Sequence, residues 1–260
     1  ISFIFFFIII FDLLLNGAIA RFSVLSHDPI IGARYFGIGN EMAGGFLAVT
    51  TLIAGLLLKK YNNKFIPISV LLLSIVIVGH PKLGANVGST IAIVVATIYF
   101  ILETVEKQLN FKNILLIITI TGLVIIIMGY VDVVLNPTPT HLGKTLMSLN
   151  EKGVGIVQNI VNRKLLMNIK LVGVSIWTKV LFVNIFVQVT TSHIYEDKIT
   201  KLLDNGLGKG VLSGIVGSIT GFLLNDSGVM LSAISMNLIT IFLLFFIINN
   251  EEVYIKWEVD

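Results

Sequence analysis

Apolar residues run along this chain in long blocks, each closed by a short polar break that carries glycine, asparagine or lysine. A helix needs about 20 apolar residues to cross a bilayer, with a range of roughly 17–25. Eight blocks meet or approach that length: Ile1–Leu15, Glu41–Leu58, Phe65–Gly79, Gly88–Leu102, Asn113–Leu135, Lys170–Thr190, Gly208–Leu224 and Val229–Ile248. Phe65–Gly79 and Gly88–Leu102 are short, which leaves open a helical pair that dips into the membrane instead of crossing it. The pattern predicts an all-α polytopic membrane bundle of about eight segments, some of them possible re-entrant elements.

The stretch 136–169 breaks the series. Asn136-Pro137-Thr138-Pro139-Thr140 is a stop signal. Beyond it Val154, Val157, Ile160, Val161, Leu165 and Leu166 recur near helical spacing, with Asn159, Asn162, Arg163 and Asn168 between them. This predicts an outward loop holding one amphipathic helix, lying in the membrane interface or packed on the rim of the bundle.

Composition agrees with the pattern. The 260 residues are 55% hydrophobic and 13% charged, with mean hydropathy +0.95. A soluble domain carries roughly 25% charged residues. The absence of cysteine removes disulfide and thiol chemistry. The basic residues are scattered beside apolar blocks, unlike a nucleic-acid footprint. The chain opens with Ile inside an apolar run, without a basic start or a small-residue exit that would mark a signal peptide. The expectation is a single membrane domain, 1–260, forming the C-terminal part of a longer chain.

Loop charge bears on orientation. With eight crossings, one set of loops and the C-terminal tail carry Lys59, Lys60, Lys64, Lys107, Lys112, Lys198, Lys201, Lys209 and Lys256; the other short loops carry Arg21, Arg34 and Lys82. Positive charge favours the cytoplasm, so the second set is expected to face outward from a bacterial plasma membrane. The longer stretch with Lys144, Lys152, Arg163, Lys164 and Lys170 dilutes this bias.

Three polar motifs fall on that outward side: Gly37-Ile38-Gly39-Asn40-Glu41, Gly84-Ala85-Asn86-Val87-Gly88 and Asn225-Asp226-Ser227-Gly228. Each has a plain structural explanation. Asn40 suits a helix cap, and Glu41 complements the positive end of the helix dipole. Gly84 and Gly88 match a small-residue packing pattern. The third motif is built of turn formers. Glycines at positions 210, 214, 217 and 221 predict close packing of the preceding helix, which would bring Asp226 near the bundle axis. As a functional site, the motifs offer Glu41 and Asp226 as candidate catalytic groups. Arg34, Asn40, Lys82, Asn86, Asn225 and Ser227 are candidate substrate contacts, since a glycine-bearing helix start with nearby cations suits an anion. His27, Asp28 and His80 are weak metal-ligand candidates without a recognised spacing, so no metal and no cofactor is assigned. His141 is a further histidine of the same side. No phosphate loop, nucleophile elbow or zinc-protease motif is present. Asp12, Asp132 and Lys179 are ionisable groups inside apolar blocks.

The segment Ala33-Arg34-Tyr35-Phe36-Gly37-Ile38-Gly39-Asn40-Glu41, with Asp28-Pro29 upstream, Gly84-Ala85-Asn86-Val87-Gly88, Asn162-Arg163-Lys164-Leu165-Leu166-Met167-Asn168 and Leu224-Asn225-Asp226-Ser227-Gly228, together resemble a group of uncharacterised bacterial multi-pass membrane proteins. Phe36 stands where that group commonly has Tyr, and Ser89 where a second glycine is common. The resemblance implies that longer members carry an extracytoplasmic domain similar to the alkaline-phosphatase superfamily ahead of the helices. It carries over no catalytic residue. Arg34-x-x-Gly37-x-x-Asn40 is also similar, over a shorter stretch, to O-antigen ligases and polymerases.

Three functions remain open at this point. One is a cell-envelope protein handling a lipid-linked or phosphate-bearing substrate, with the lipid bilayer as its other partner. The second is an ion- or proton-coupled transporter using Glu41, Asp226 and Lys179. The third is a membrane anchor for an extracytoplasmic domain. Whether the protein is an enzyme stays open.

Overall fold

The structure is a computed structural model that describes residues 2–23, 25, 37–61, 63–136, 139, 141–152 and 155–249. These residues form twelve helices and no strand: α1 (Ser2–Leu14), α2 (Ala18–Phe22), α3 (Asn40–Tyr61), α4 (Phe65–Gly79), α5 (Val87–Thr104), α6 (Phe111–Leu135), α7 (His141–Lys152), α8 (Gly155–Val174), α9 (Ile176–Ile194), α10 (Glu196–Leu203), α11 (Gly206–Leu224) and α12 (Gly228–Asn249). Among them α3, α5, α6, α11 and α12 are long and apolar enough to cross a membrane; α8 with α9 is a bent pair, either a broken sixth span or a re-entrant element, and α1 and α4 are shorter apolar helices. The protein is therefore a polytopic helical membrane protein.

The predicted block Lys170–Thr190 is not one straight span. α8 and α9 meet at 84°. Ser175 sits at the corner in an extended conformation and accepts a hydrogen bond from the Trp177 amide, capping α9. The stretch after the Asn-Pro-Thr-Pro break holds two helices, α7 and α8. Buried carboxylates start two of the short helices. Asp12 accepts from the Ile19 and Ala20 amides, both at 2.7 Å, and Asp132 accepts from the Gly143 amide at 2.9 Å and Asn136 Nδ2 at 2.6 Å. Helix N-termini present unpaired N–H groups, and a carboxylate there is satisfied without an external ligand.

Glycine sets the centre of the bundle. A Cβ on Gly55 would lie 2.8 Å from the Gly206 carbonyl and 3.0 Å from Gly210 Cα. A Cβ on Gly217 would lie 2.9 Å from Ala96 Cβ of α5. Helices in lipid gain little from hydrophobic burial, so close backbone contact supplies the attraction. α11 thus lies against α3 and α5, while Gly221 faces Leu231 of α12. Buried Ser218 and Ser235 join α11 to α12 through their hydroxyls. Gln188 of α9 donates to Thr240 Oγ1 of α12 at 2.9 Å.

α6 is different. Only 11% of its apolar window is buried, against 78% for α3. Ile118, Ile127 and Tyr130 project outward, so α6 faces lipid along most of its length.

A candidate polar site at one end of the bundle

The starts of α3, α5 and α12 and the ends of α4 and α11 meet at one end of the bundle. Main-chain bonds fix the first two motifs: the Ile38 amide donates to the Gly84 carbonyl at 2.8 Å, and the Asn86 amide to the Val78 carbonyl at 3.1 Å. Gly37 has φ 81°, and a Cβ there would lie 3.0 Å from the Gly84 carbonyl carbon. Any other residue would be strained in its backbone and would collide with the second motif.

Four asparagines tie the helices together. Asn40 Oδ1 accepts from Asn86 Nδ2 and from Asn225 Nδ2, both at 2.9 Å. Asn86 Nδ2 also donates to the Ile38 carbonyl at 3.1 Å, while its Oδ1 accepts from the Ser89 amide at 3.0 Å and caps α5. Asn225 Nδ2 donates in addition to Ser89 Oγ at 3.2 Å. Asn168 of α8 donates to the Phe222 and Asn225 carbonyls at 2.9 and 2.7 Å, and its Oδ1 accepts from the Gly228 amide at 3.0 Å. Asn86, Asn168 and Asn225 are buried. An amide carries donor and acceptor together, so four of them can pair main-chain groups of separate helices without placing a net charge in the membrane.

The carboxylates behave differently from each other. Glu41 follows Asn40 in the first turn of α3, and its Oε2 is buried without a hydrogen-bond partner among the described residues. Asp226 does not point to the bundle axis; Asn225 holds that place. Asp226 is exposed, 3.8 Å from Lys164 Nζ, and Lys164 also donates to the Leu224 carbonyl at 3.2 Å. The Ser227 carbonyl accepts from the Met230 amide at 3.1 Å at the start of α12. Lys82 is exposed, and its amide donates to His80 Nδ1 at 3.2 Å. Arg34, His27 and Asp28 lie outside the described residues, as does the side chain of His141. Among the described residues, no three His, Cys, Asp or Glu side chains gather to hold a metal ion.

Two neighbouring apolar cavities, of about 260 and 290 Å³, share Val172 and Phe222. The first is bounded by Asn168, Leu165 and Leu223; the second continues between α9, α11 and α12 past Leu181 and Ser218. Together they form a groove beneath the α8–α9 corner that ends at the asparagine cluster. Lys179, four residues into α9, is exposed.

The structure also bears on orientation. α8, with Arg163, Lys164 and Lys170, lies over the motif end, and α7 with Lys144 adjoins it. Their positive charge offsets much of the asymmetry between the short loops.

Asn168, Ser89 and Lys164 join the site without having been singled out as its members. Asn168 had a visible signal, since it is a lone amide among Leu165, Leu166, Met167 and Ile169. Ser89 had none beyond its place one turn into α5.

No protein-family model matches the chain, and neither the curated proteins nor the solved structures provide a match to it.

Proposed function

We propose that the protein handles a lipid-linked, phosphate-bearing substrate at the motif end, which faces outward from a bacterial plasma membrane. The observation that carries this reading is the apolar groove that ends on Asn168 and the asparagine cluster. A hydrocarbon chain fits a groove with apolar walls, and the head group would then reach the cationic rim of Lys164 and Arg163, with Lys82 and Arg34 as further anion contacts. Glu41 would serve as the acid–base group, because one of its carboxylate oxygens, Oε2, is buried without a hydrogen-bond partner among the described residues, and an ionisable residue in a membrane helix marks function by default. Asp226 would hold Lys164 until an anion replaces it.

The test places a photo-cross-linking residue at Val172 in the groove and, separately, at Ile118 on the lipid face of α6. The expected result is capture of a phosphate-bearing amphiphile at Val172 that is absent from Ile118. The same bulk phospholipids at both positions would overturn the reading. Orientation is tested with Lys82→Cys, Ser227→Cys and Lys107→Cys and an impermeant thiol reagent on intact cells. The first two are expected to label and the third to stay protected; the reverse pattern would invert the protein.

A further inference from the structure

The opposite end of the bundle holds a second polar feature that none of the three motifs touches. A cleft of about 850 Å³ opens where the end of α3, the start of α4, the end of α5 and the α10–α11 corner meet. Its walls carry Lys59, Lys64 and Lys209, with Asp204, Glu106 and Asn63 beside them and Leu58 and Phe65 as apolar surface. The packing of the bundle builds it. Gly206 approaches α3 so closely that a Cβ there would lie 2.6 Å from the Lys59 amide nitrogen and 3.1 Å from the Leu58 carbonyl carbon. That contact holds Lys59 against the N-terminus of α11, where Asn205 caps the helix by accepting from the Leu207 amide at 2.8 Å.

None of the three lysines has a carboxylate oxygen within 4.0 Å among the described residues, although two carboxylates line the same cleft. Lys64 lies over the Phe65 ring at 5.9 Å. Lys59 and Lys64, on either side of the α3–α4 turn, and Lys209 of α11 therefore line one space without a carboxylate among the described residues in ion-pairing range of any of them. Ammonium groups are point donors suited to phosphate oxygens, and the positive end of α11 adds to the same field. Asp204, Glu106 and Asn63 can accept hydrogen bonds from hydroxyl groups. The volume falls within the range of roughly 300–1,000 Å³ usual for small-molecule sites.

We propose that this cleft binds a phosphate ester that also carries hydroxyl groups, with Lys59, Lys64 and Lys209 holding the phosphate. Two sources share this chemistry: the head group of an anionic phospholipid such as phosphatidylglycerol, and a soluble phosphate ester such as glycerol 3-phosphate. The site is separate from the groove at the motif end and does not depend on the function assigned there.

The experiment measures thermal stabilisation and native-mass binding of the detergent-purified chain by phosphatidylglycerol, phosphatidylcholine and glycerol 3-phosphate. The expected result is selective binding of phosphatidylglycerol or glycerol 3-phosphate over phosphatidylcholine. Binding of the lipid alone identifies the head group in the membrane as the source; binding of both identifies the soluble ester as sufficient. The variant Lys59→Gln/Lys64→Gln/Lys209→Gln is compared with Lys107→Gln/Lys112→Gln, which removes positive charge outside the cleft. Each cleft lysine is expected to contribute about fivefold to affinity, and the control pair little. Equal loss in both variants would mean general surface attraction and would overturn the proposal, as would failure of both phosphate esters to bind the unaltered protein. The single variant Lys209→Gln serves as a second reading if the triple variant loses its helical circular dichroism.

Discussion

At one end of the bundle Asn40, Asn86, Asn168 and Asn225 direct their side chains at each other and at main-chain groups; at the other, Lys59, Lys64 and Lys209 stand around an open cleft without paired carboxylates. Both ends face the same physical problem, since helix termini expose main-chain groups that the membrane interior cannot satisfy. The amide end solves it inside the protein and so becomes a fixed scaffold. The lysine end leaves its charges toward water and the membrane surface and so remains open to a ligand. The difference teaches that polar residues at the ends of membrane helices need not share a role: the most buried ones position helices, and the open ones offer contacts.

The largest expected effect comes from removing a member of the amide cluster. Asn86→Ala deletes the α5 cap and removes one of the donors to the Ile38 carbonyl and one of the two donors to Asn40 Oδ1. The expected loss is about 2–3 kcal/mol, combining a cap with two further hydrogen bonds at about 1 kcal/mol or less each. The triple lysine variant of the opposite end is expected to change stability by about 0.5 kcal/mol or less per substitution, as surface substitutions usually do. Denaturation of both variants in the same detergent checks the contrast, and equal losses would break it.

A pair of glycine substitutions sharpens the comparison at intermediate size. A Cβ at Gly88 would lie 2.6 Å from Asn225 Cγ, and one at Gly206 2.6 Å from the Lys59 amide nitrogen. Each alanine is expected to cost about 1–3 kcal/mol through overpacking. Gly88→Ala should raise hydrogen exchange around the motif end and leave phosphate-ester binding intact. Gly206→Ala should do the opposite, weakening phosphate-ester binding while exchange at the motif end stays unchanged. Hydrogen exchange with mass detection, read beside ligand titration, separates the two ends.

Hydrophobic blocks made most of the helices legible, because length and apolarity are what a membrane span requires. The α8–α9 corner was hidden, since Ser175 lies in an otherwise continuous apolar stretch and its capping role depends on where the chain turns. α2 and α7 were hidden for another reason. They begin on Asp12 and Asp132, side chains whose partners lie seven to eleven residues further on. Within the candidate site, Asn40, Asn86 and Asn225 could be picked out because they interrupt apolar surroundings beside glycine. That they would bond one another could not be read from spacing, because 185 residues separate Asn40 from Asn225. The exposure of Asp226 shows the same limit: neighbouring residues in one turn take opposite directions, and the bundle decides which one enters it.

The smallest expected effect tests that turn. Asp226 is exposed and its pairing with Lys164 is long, at 3.8 Å. An exposed ion pair contributes at most about 1 kcal/mol, and asparagine keeps the turn preference of aspartate. Asp226→Asn should therefore leave stability nearly unchanged. Lys164 would still hold the Leu224 carbonyl but would face less competition for an anion. The proposed lipid function then predicts equal or somewhat greater capture of a phosphate-bearing amphiphile at Val172. Lys164→Gln should reduce that capture, and adding Asp226→Asn to it should have little further effect. If Asp226→Asn instead abolishes capture while stability is unchanged, the carboxylate itself contacts the substrate, and its role as a holder of Lys164 is wrong.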